Sequence, residues 1–331
     1  MKVLFFDADQ ECQDFFIPAL PEDEIIFVTE PLSKEELNKH KDADIVSVFV
    51  SSAMRQEHID LLPKLHLIAA RSTGTDNIDV DYARSKGIVV SNVPKYGVHT
   101  VAEFTFALML TVSRKIFEAV HQVKEDVDFR IKALEGFSLF GKTLGVIGTG
   151  SIGRSVIGIA KGFGMKVLMF DAFPSKNCES ESSAYVPLEN LLSESDIVTL
   201  HLPYSEETHY FLGKNELSKM KRGVVLINTA RGELVDTSAL LEALKDGTIG
   251  GAGLDVLEGE RMLKDEMALV RGGESIQDLK SVIRDHILID MPNVVVTPHI
   301  AFFSKEAYGE ILSITAKNIL DFQKGNPANI V

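Results

Sequence analysis

Disulfide bridges and cysteine-built zinc sites are beyond this chain. Cys12 and Cys178 are its two cysteines, too few and too far apart for a bridged framework or a metal cluster, and no metal site is expected. No window reaches the roughly 18 uninterrupted apolar residues that a membrane span requires; the segment 104–112 comes nearest. Positive charge is scarce as well. With 34 Lys and Arg against 48 Asp and Glu, the net charge of −14 argues against a general partner of nucleic acid or anionic membrane. Repeats, low-complexity tracts and Gly/Ser linkers are missing. The opening Met1-Lys2-Val3-Leu4-Phe5-Phe6-Asp7 ends its apolar run on an acid, too early for the core of a signal peptide, and reads as a first strand. A cytoplasmic, reducing location is therefore expected.

What is present is the material of a folded protein. The chain has 331 residues, 45% apolar and 25% charged, a globular composition at a length that favours two domains. Short apolar runs at 3–6, 25–28, 45–50, 67–70 and 88–90 alternate with helical spacing at 33–40 and 55–61. That alternation is the signature of a parallel α/β sheet. The segment 100–127, with Ala102, Phe104, Phe106, Leu108, Leu110, Val112 and Ile116, is too long for a strand and reads as one buried helix reaching a subunit contact. A second series of strands follows at 143–147, 166–170, 197–200, 224–228, 253–256 and 294–297. The stretch 259–290 is charged, helix-prone and long for a connection. A last helix is expected over 304–323, with Ser304 as N-cap and Gly325 just past its end.

The most informative stretch is Val146-Ile147-Gly148-Thr149-Gly150-Ser151-Ile152-Gly153, followed by a second apolar run that ends on Asp171. Gly148 permits a tight turn, Gly150 lets backbone approach a pyrophosphate, and Gly153 lets the helix pack close to the sheet. The N–H groups opening that helix, at Ser151 and Ile152, face the phosphates. Asp171 stands where an acid accepts hydrogen bonds from ribose hydroxyls. A carboxylate there repels a 2′-phosphate, and Ala172-Phe173-Pro174 brings no immediate cation, so NAD is favoured over NADP. Because this fingerprint lies mid-chain, the expected architecture is two Rossmann-like, doubly wound parallel-sheet α/β domains, one inserted in the other. The NAD domain would span 100–299, and 1–99 with 300–331 would form the substrate domain, with crossovers near 97–100 and 299–303.

Three further segments follow predicted strands, at the ends where open α/β sheets bind ligands. Asn228-Thr229-Ala230-Arg231-Gly232 offers a guanidinium fork suited to a carboxylate. Gly253-Leu254-Asp255-Val256-Leu257-Glu258-Gly259-Glu260 brings acids, and Thr297-Pro298-His299 brings a histidine suited to proton transfer near neutral pH. A carboxylate beside that histidine favours its protonated form and orients the ring. Beside a hydride-carrying cofactor, such a set suits reduction of a 2-oxo acid.

On these motifs, over essentially its full length, the chain resembles the D-isomer-specific 2-hydroxyacid dehydrogenases. The resemblance implies that Arg231 contacts substrate, that His299 is the acid/base and that Glu260 is its carboxylate partner. It implies that Thr229, Ala230 and Pro203 line the cofactor and that Asp255 hydrogen-bonds the nicotinamide carboxamide. Ser72-Thr73-Gly74-Thr75-Asp76-Asn77-Ile78-Asp79 matches the loop whose N–H groups, at Thr73 and Gly74, hold the substrate carboxylate. Tyr96, in Asn92-Val93-Pro94-Lys95-Tyr96, and Phe302, in His299-Ile300-Ala301-Phe302-Phe303, look like aromatic positions of the D-lactate dehydrogenase branch. Ile300 and Phe303 depart from the Thr and Tyr more usual there, and Gly97-Val98-His99 replaces a commoner Ser-Pro-Asn type of stretch; His99 reads as a hinge residue. The implied function is NAD-dependent reduction of pyruvate to D-lactate by a homodimer. A dehydrogenase for bulkier 2-hydroxy acids or a glyoxylate/hydroxypyruvate reductase is the alternative, and an NAD-sensing regulatory protein is the alternative outside enzymes.

Overall fold

The computed structural model describes residues 1–260, 263 and 276–331. Its contacts divide the chain into two compact units, Met1–Gly97 with Phe303–Val331, and Val98–Phe302. The second unit thus lies in sequence between the two parts of the first.

In the first unit, strands β1 (Lys2–Phe5), β2 (Glu24–Phe27), β3 (Ile45–Val48), β4 (Leu67–Ala70) and β5 (Val89–Ser91) form one sheet in the order β2-β1-β3-β4-β5. Every neighbouring pair is parallel. Each residue of β3 and β4 is buried. That is why these strands read as continuous apolar runs rather than alternating ones: helices cover both faces of a parallel sheet. The helix Lys305–Gln323 packs on β4 and on the helix Gln10–Ala19. Its expected N-cap holds, with the Ser304 hydroxyl accepting the Ala307 N–H at 3.2 Å.

The second unit is built on β6 (Thr143–Ile147), β7 (Lys166–Phe170), β8 (Ser183–Tyr185), β9 (Ile197–Leu200), β10 (Val224–Asn228), β11 (Ile249–Leu254) and β12 (Val294–Val296). Their order, β12-β11-β10-β9-β6-β7-β8, is that of a dinucleotide-binding doubly wound sheet, again parallel throughout. The strand order reverses between β6 and β9, so a crevice opens above the carboxyl ends of those two strands. The helix Val98–Ser113 packs on β10 and β11 and against the helix Ser151–Gly162.

Three local expectations change. The segment 100–127 is two helices, Val98–Ser113 and Ile116–Asp126, because the Ser113 carbonyl is taken by the Phe137 N–H at 2.9 Å and Lys115 turns left-handed at φ +50°. The first helix is buried as expected, whereas the second buries no residue. Strand β11 begins at Ile249, four residues before the expected start, because Gly250-Gly251 gives the strand no apolar pattern to read. Strand β8 follows a serine-rich stretch and has no expected counterpart. Of 259–290, residues 261, 262 and 264–275 lie outside the described residues, and Ile276–Ile289 is a helix.

Ile300–Phe302 go with the second unit because Asp255 holds their backbone, the Ile300 N–H at 3.0 Å and the Ala301 N–H at 2.8 Å. His99 contacts the Ser155 hydroxyl at 3.1 Å, which ties the start of the long helix to the helix after the glycine turn.

Leu226 of β10 is fully buried in the second unit's core. Replacing it by Ala is expected to cost about 2–5 kcal/mol through lost transfer energy and a residual cavity. Urea unfolding checks this, and an unchanged midpoint would remove β10 from the stability core.

Candidate active site

The turn after β6 has the shape its glycines imply. Gly148 sits at φ +93°, and a Cβ there would meet the His201 carbonyl oxygen at 2.6 Å, across the crevice between β6 and β9. A Cβ on Gly153 would strike the Gly148 carbonyl oxygen at 2.1 Å, so helix and turn touch through bare backbone. At Gly150 a Cβ would meet nothing within 4 Å. This is open space over the start of the helix Ser151–Gly162, where unpaired N–H groups and the positive dipole end favour phosphate.

Asp171, at the end of β7, faces the same turn. Its Oδ2 accepts the Thr149 N–H at 2.6 Å and the Thr149 hydroxyl at 2.9 Å, and its Oδ1 accepts the Phe173 N–H at 2.8 Å. Burial works against the charge, yet these donors and the positive charge of Arg154 outweigh it and hold the carboxyl below its ordinary value. Tyr185 of β8 extends the network, its hydroxyl 2.8 Å from the Thr149 hydroxyl and accepting the Ser175 N–H at 3.0 Å. Open glycine backbone, a helix N-terminus and a fixed carboxylate fit the pyrophosphate and ribose of NAD.

Strands β10, β11 and β12 are neighbours, so their ends bring Arg231, the 255–260 turn and His299 to one edge. His299 Nδ1 lies 3.0 Å and 3.2 Å from the two carboxylate oxygens of Glu260, and both side chains are 22% exposed. This pairing engages Nδ1 of the ring. The His299 backbone is left-handed at φ +58°, unusual for a residue with a side chain. Asp255 imposes that turn. Its carbonyl accepts the His299 N–H at 2.8 Å, and Oδ1 accepts the Thr297 hydroxyl at 2.5 Å beside the Ile300 N–H. Burial pushes the Asp255 carboxyl up, against these donors and the His299 charge. The carboxylate is 1% exposed and mostly committed to the turn.

Arg231 follows β10 in a loop pinned by Asn228, whose side-chain amide donates to the Arg231 carbonyl at 2.8 Å and whose Oδ1 accepts the Ala230 N–H at 3.0 Å. The half-buried guanidinium donates to the Ala230 carbonyl at 2.8 Å. Thr229 meets the Thr105 hydroxyl at 3.0 Å. Phe302 sets its ring edge-on to His299, centroids 6.4 Å apart. The Pro203 carbonyl accepts the Thr208 hydroxyl at 2.9 Å just past β9. His201 is no rival acid/base: burial pushes its imidazole down to about 3, so it is neutral at working pH.

The first unit holds Thr73, Gly74 and Tyr96. Thr73 and Gly74 follow β4 in a loop fixed by its own bonds, from Ser72 hydroxyl to Gly74 carbonyl and from Thr73 hydroxyl to Val93 carbonyl, both 2.7 Å. Tyr96 is half-buried just past β5. A chain of amides stands behind the loop, Asn318 and Asn92 buried and Asn329 at the surface: Asn329 donates to Asn318 Oδ1, Asn318 to the Asn92 carbonyl, and Asn92 to the Thr73 carbonyl, each at 2.8 Å. Neither this relay nor Tyr185 was marked by the reading of the sequence. Asn92 closing a buried strand is the one available signal, while Asn318 looks like a surface amide until the last helix packs on the sheet.

An open glycine turn after β6 and a carboxylate-paired histidine after β12 are features suited to an NAD-dependent oxidoreductase. Residues 106–301 match the family described as D-isomer specific 2-hydroxyacid dehydrogenase, NAD binding domain. A glyoxylate reductase from Korarchaeum cryptofilum is 38% identical over 91% of this chain and 86% of its own length. A D-lactate dehydrogenase from Escherichia coli is 39% identical over 85% of this chain and 84% of its own. The crystal structure of D-lactate dehydrogenase from Aquifex aeolicus complexed with NAD and lactic acid superimposes with a TM-score of 0.89. That structure is 37% identical and covers 99% of this chain and 98% of that one. The chain belongs to the D-isomer-specific 2-hydroxyacid dehydrogenase family.

The Asp171 network generates a prediction. Asp171→Ala should relax discrimination between NADH and NADPH, read as the ratio of their kcat/KM values, by removing the charge that repels a 2′-phosphate. An unchanged ratio would separate Asp171 from cofactor choice.

Proposed function

We propose that this enzyme is a D-lactate dehydrogenase that reduces pyruvate, with His299, Glu260 and Arg231 as its catalytic set. The observation that carries the reading is the His299–Glu260 pair with the buried Phe302 ring against the imidazole. An apolar wall beside the proton donor suits a small methyl side chain. Bound NADH supplies the hydride. His299 Nε2 gives its proton to the carbonyl oxygen of pyruvate as the carbonyl carbon is reduced, and the product is D-lactate. Glu260 accepts the Nδ1 hydrogen and favours the imidazolium before transfer. Arg231 holds the substrate carboxylate with a planar fork and polarises the carbonyl.

In the first unit, Thr73 and Gly74, through their backbone N–H groups, and Tyr96 are the substrate-binding residues of this reading. The first unit, Met1–Gly97 with Phe303–Val331, is the substrate domain, and Val98–Phe302 is the NAD domain. Gly148, Gly150, Ser151, Ile152 and Gly153 hold the pyrophosphate, and Asp171 holds the ribose. Thr229, Ala230 and Pro203 line the nicotinamide side, where Asp255 has an acceptor position left on Oδ2 for the carboxamide. Glyoxylate is the second substrate reading, favoured by a relative of that activity at nearly the same identity. The partner is a second copy of the chain. The helix Ile116–Asp126 and the segment after it expose Ile116, Phe117, Val120, Val127, Phe129 and Ile131, a run of apolar side chains suited to an interface.

NADH oxidation with pyruvate, glyoxylate, hydroxypyruvate, phenylpyruvate and 2-oxoisocaproate tests the substrate. The highest kcat/KM is expected on pyruvate, and a peak on another acid would move the substrate while keeping the chemistry. His299→Ala should lose about 100-fold or more in turnover while still binding NADH; equal loss of both would contradict its role. Sedimentation velocity should show a dimer that Phe117→Asp weakens. A monomeric wild-type chain would refute that interface.

A further inference from the structure

The turn that carries Glu260 is held from behind by a residue that the site so far does not include. Three consecutive residues are each tethered to a different element. Glu258 accepts the hydroxyl of Tyr210, the Gly259 N–H donates to Asp285 Oδ2 at 3.0 Å, and Glu260 meets His299. Asp285 lies on the helix Ile276–Ile289 and is fully buried. Its other oxygen, Oδ1, has no hydrogen-bond partner among the described residues. A buried carboxyl with an unused oxygen is costly to keep. Burial pushes it up to about 7, with the Glu258 charge adding to the effect and the Gly259 N–H, His286 and Arg284 opposing it.

The contact is also close. A Cβ on Gly259 would meet Asp285 Oδ2 at 2.4 Å and the Ser281 hydroxyl at 2.9 Å, so the glycine lets the turn sit directly on this helix. We propose that Asp285 is a positioning residue for the acid/base pair: by accepting the Gly259 N–H it fixes the 258–260 turn and keeps the Glu260 carboxylate in register with His299 Nδ1. Its part is that of an acceptor, not of a charge, and it acts through Glu260. The inference rests on the reading of His299 and Glu260 as the acid/base pair.

The test compares Asp285→Ala, Asp285→Asn and Glu260→Gln, singly and with Asp285→Ala added to Glu260→Gln, as full-length protein. Asp285→Ala should lower kcat/KM for the oxo acid roughly tenfold and change its pH profile in the same way as Glu260→Gln. NADH affinity by fluorescence titration should be unchanged. Asp285→Asn keeps an oxygen for the Gly259 N–H and should retain the wild-type rate and profile. On the Glu260→Gln background, Asp285→Ala should add no further loss, because two residues acting through one contact are not additive. A wild-type profile for Asp285→Ala, an Asp285→Asn profile shifted like that of Glu260→Gln, or full additivity would each overturn the proposal. A Glu260→Gln profile identical to wild type would instead overturn the reading of the pair itself.

Discussion

Asp255 accepts the Thr297 hydroxyl and the Ile300 and Ala301 N–H groups on its carboxylate and the His299 N–H on its carbonyl. These four bonds hold His299 in a left-handed conformation that a residue with a Cβ does not adopt without outside support. The turn so formed points the imidazole at Glu260 and carries Phe302 against it. A carboxylate this buried is unfavourable alone; it persists because nearly every acceptor position is filled. The placement of the candidate acid/base histidine therefore depends on the Asp255 carboxylate and carbonyl.

The first unit solves a similar problem with neutral groups. Its loop after β4 keeps Thr73 and Gly74 in place through the Asn329, Asn318 and Asn92 relay, which ties the last residues of the chain to a loop more than two hundred positions earlier. Amides suit this role because each has a donor and an acceptor, so a chain of them satisfies itself without burying net charge. Both units place their candidate groups beyond the carboxyl ends of parallel strands. There the strand backbone stops pairing, and loops are held by side chains instead.

Much of the architecture was legible in the chain. Parallel α/β structure, the inserted dinucleotide fold and the NAD preference followed from alternating apolar runs, three spaced glycines and Asp171. The steric reasons those glycines are required are local, which is why they can be read in one dimension. What escaped reading was of two kinds. Strand β8 and the first residues of β11 lack apolar patterning, in a serine-rich stretch and a glycine pair, and only neighbouring strands make them strands. The break at Lys115 comes from Phe137 taking the Ser113 carbonyl, a contact invisible to helical periodicity.

The sequence by itself determined which residues are candidates for the chemistry: His299, Glu260, Arg231 and the glycine turn are distinctive in type and spacing. Tertiary structure alone decided what holds them. Asp285, Tyr185, Tyr210 and the asparagine relay act across strands and helices far apart in the chain, through hydrogen bonds that exist only when those elements meet. A polar side chain gives no sign in one dimension of whether water or a buried backbone group will satisfy it. Packing makes that choice, because only removal from water turns a hydrogen bond from optional to required.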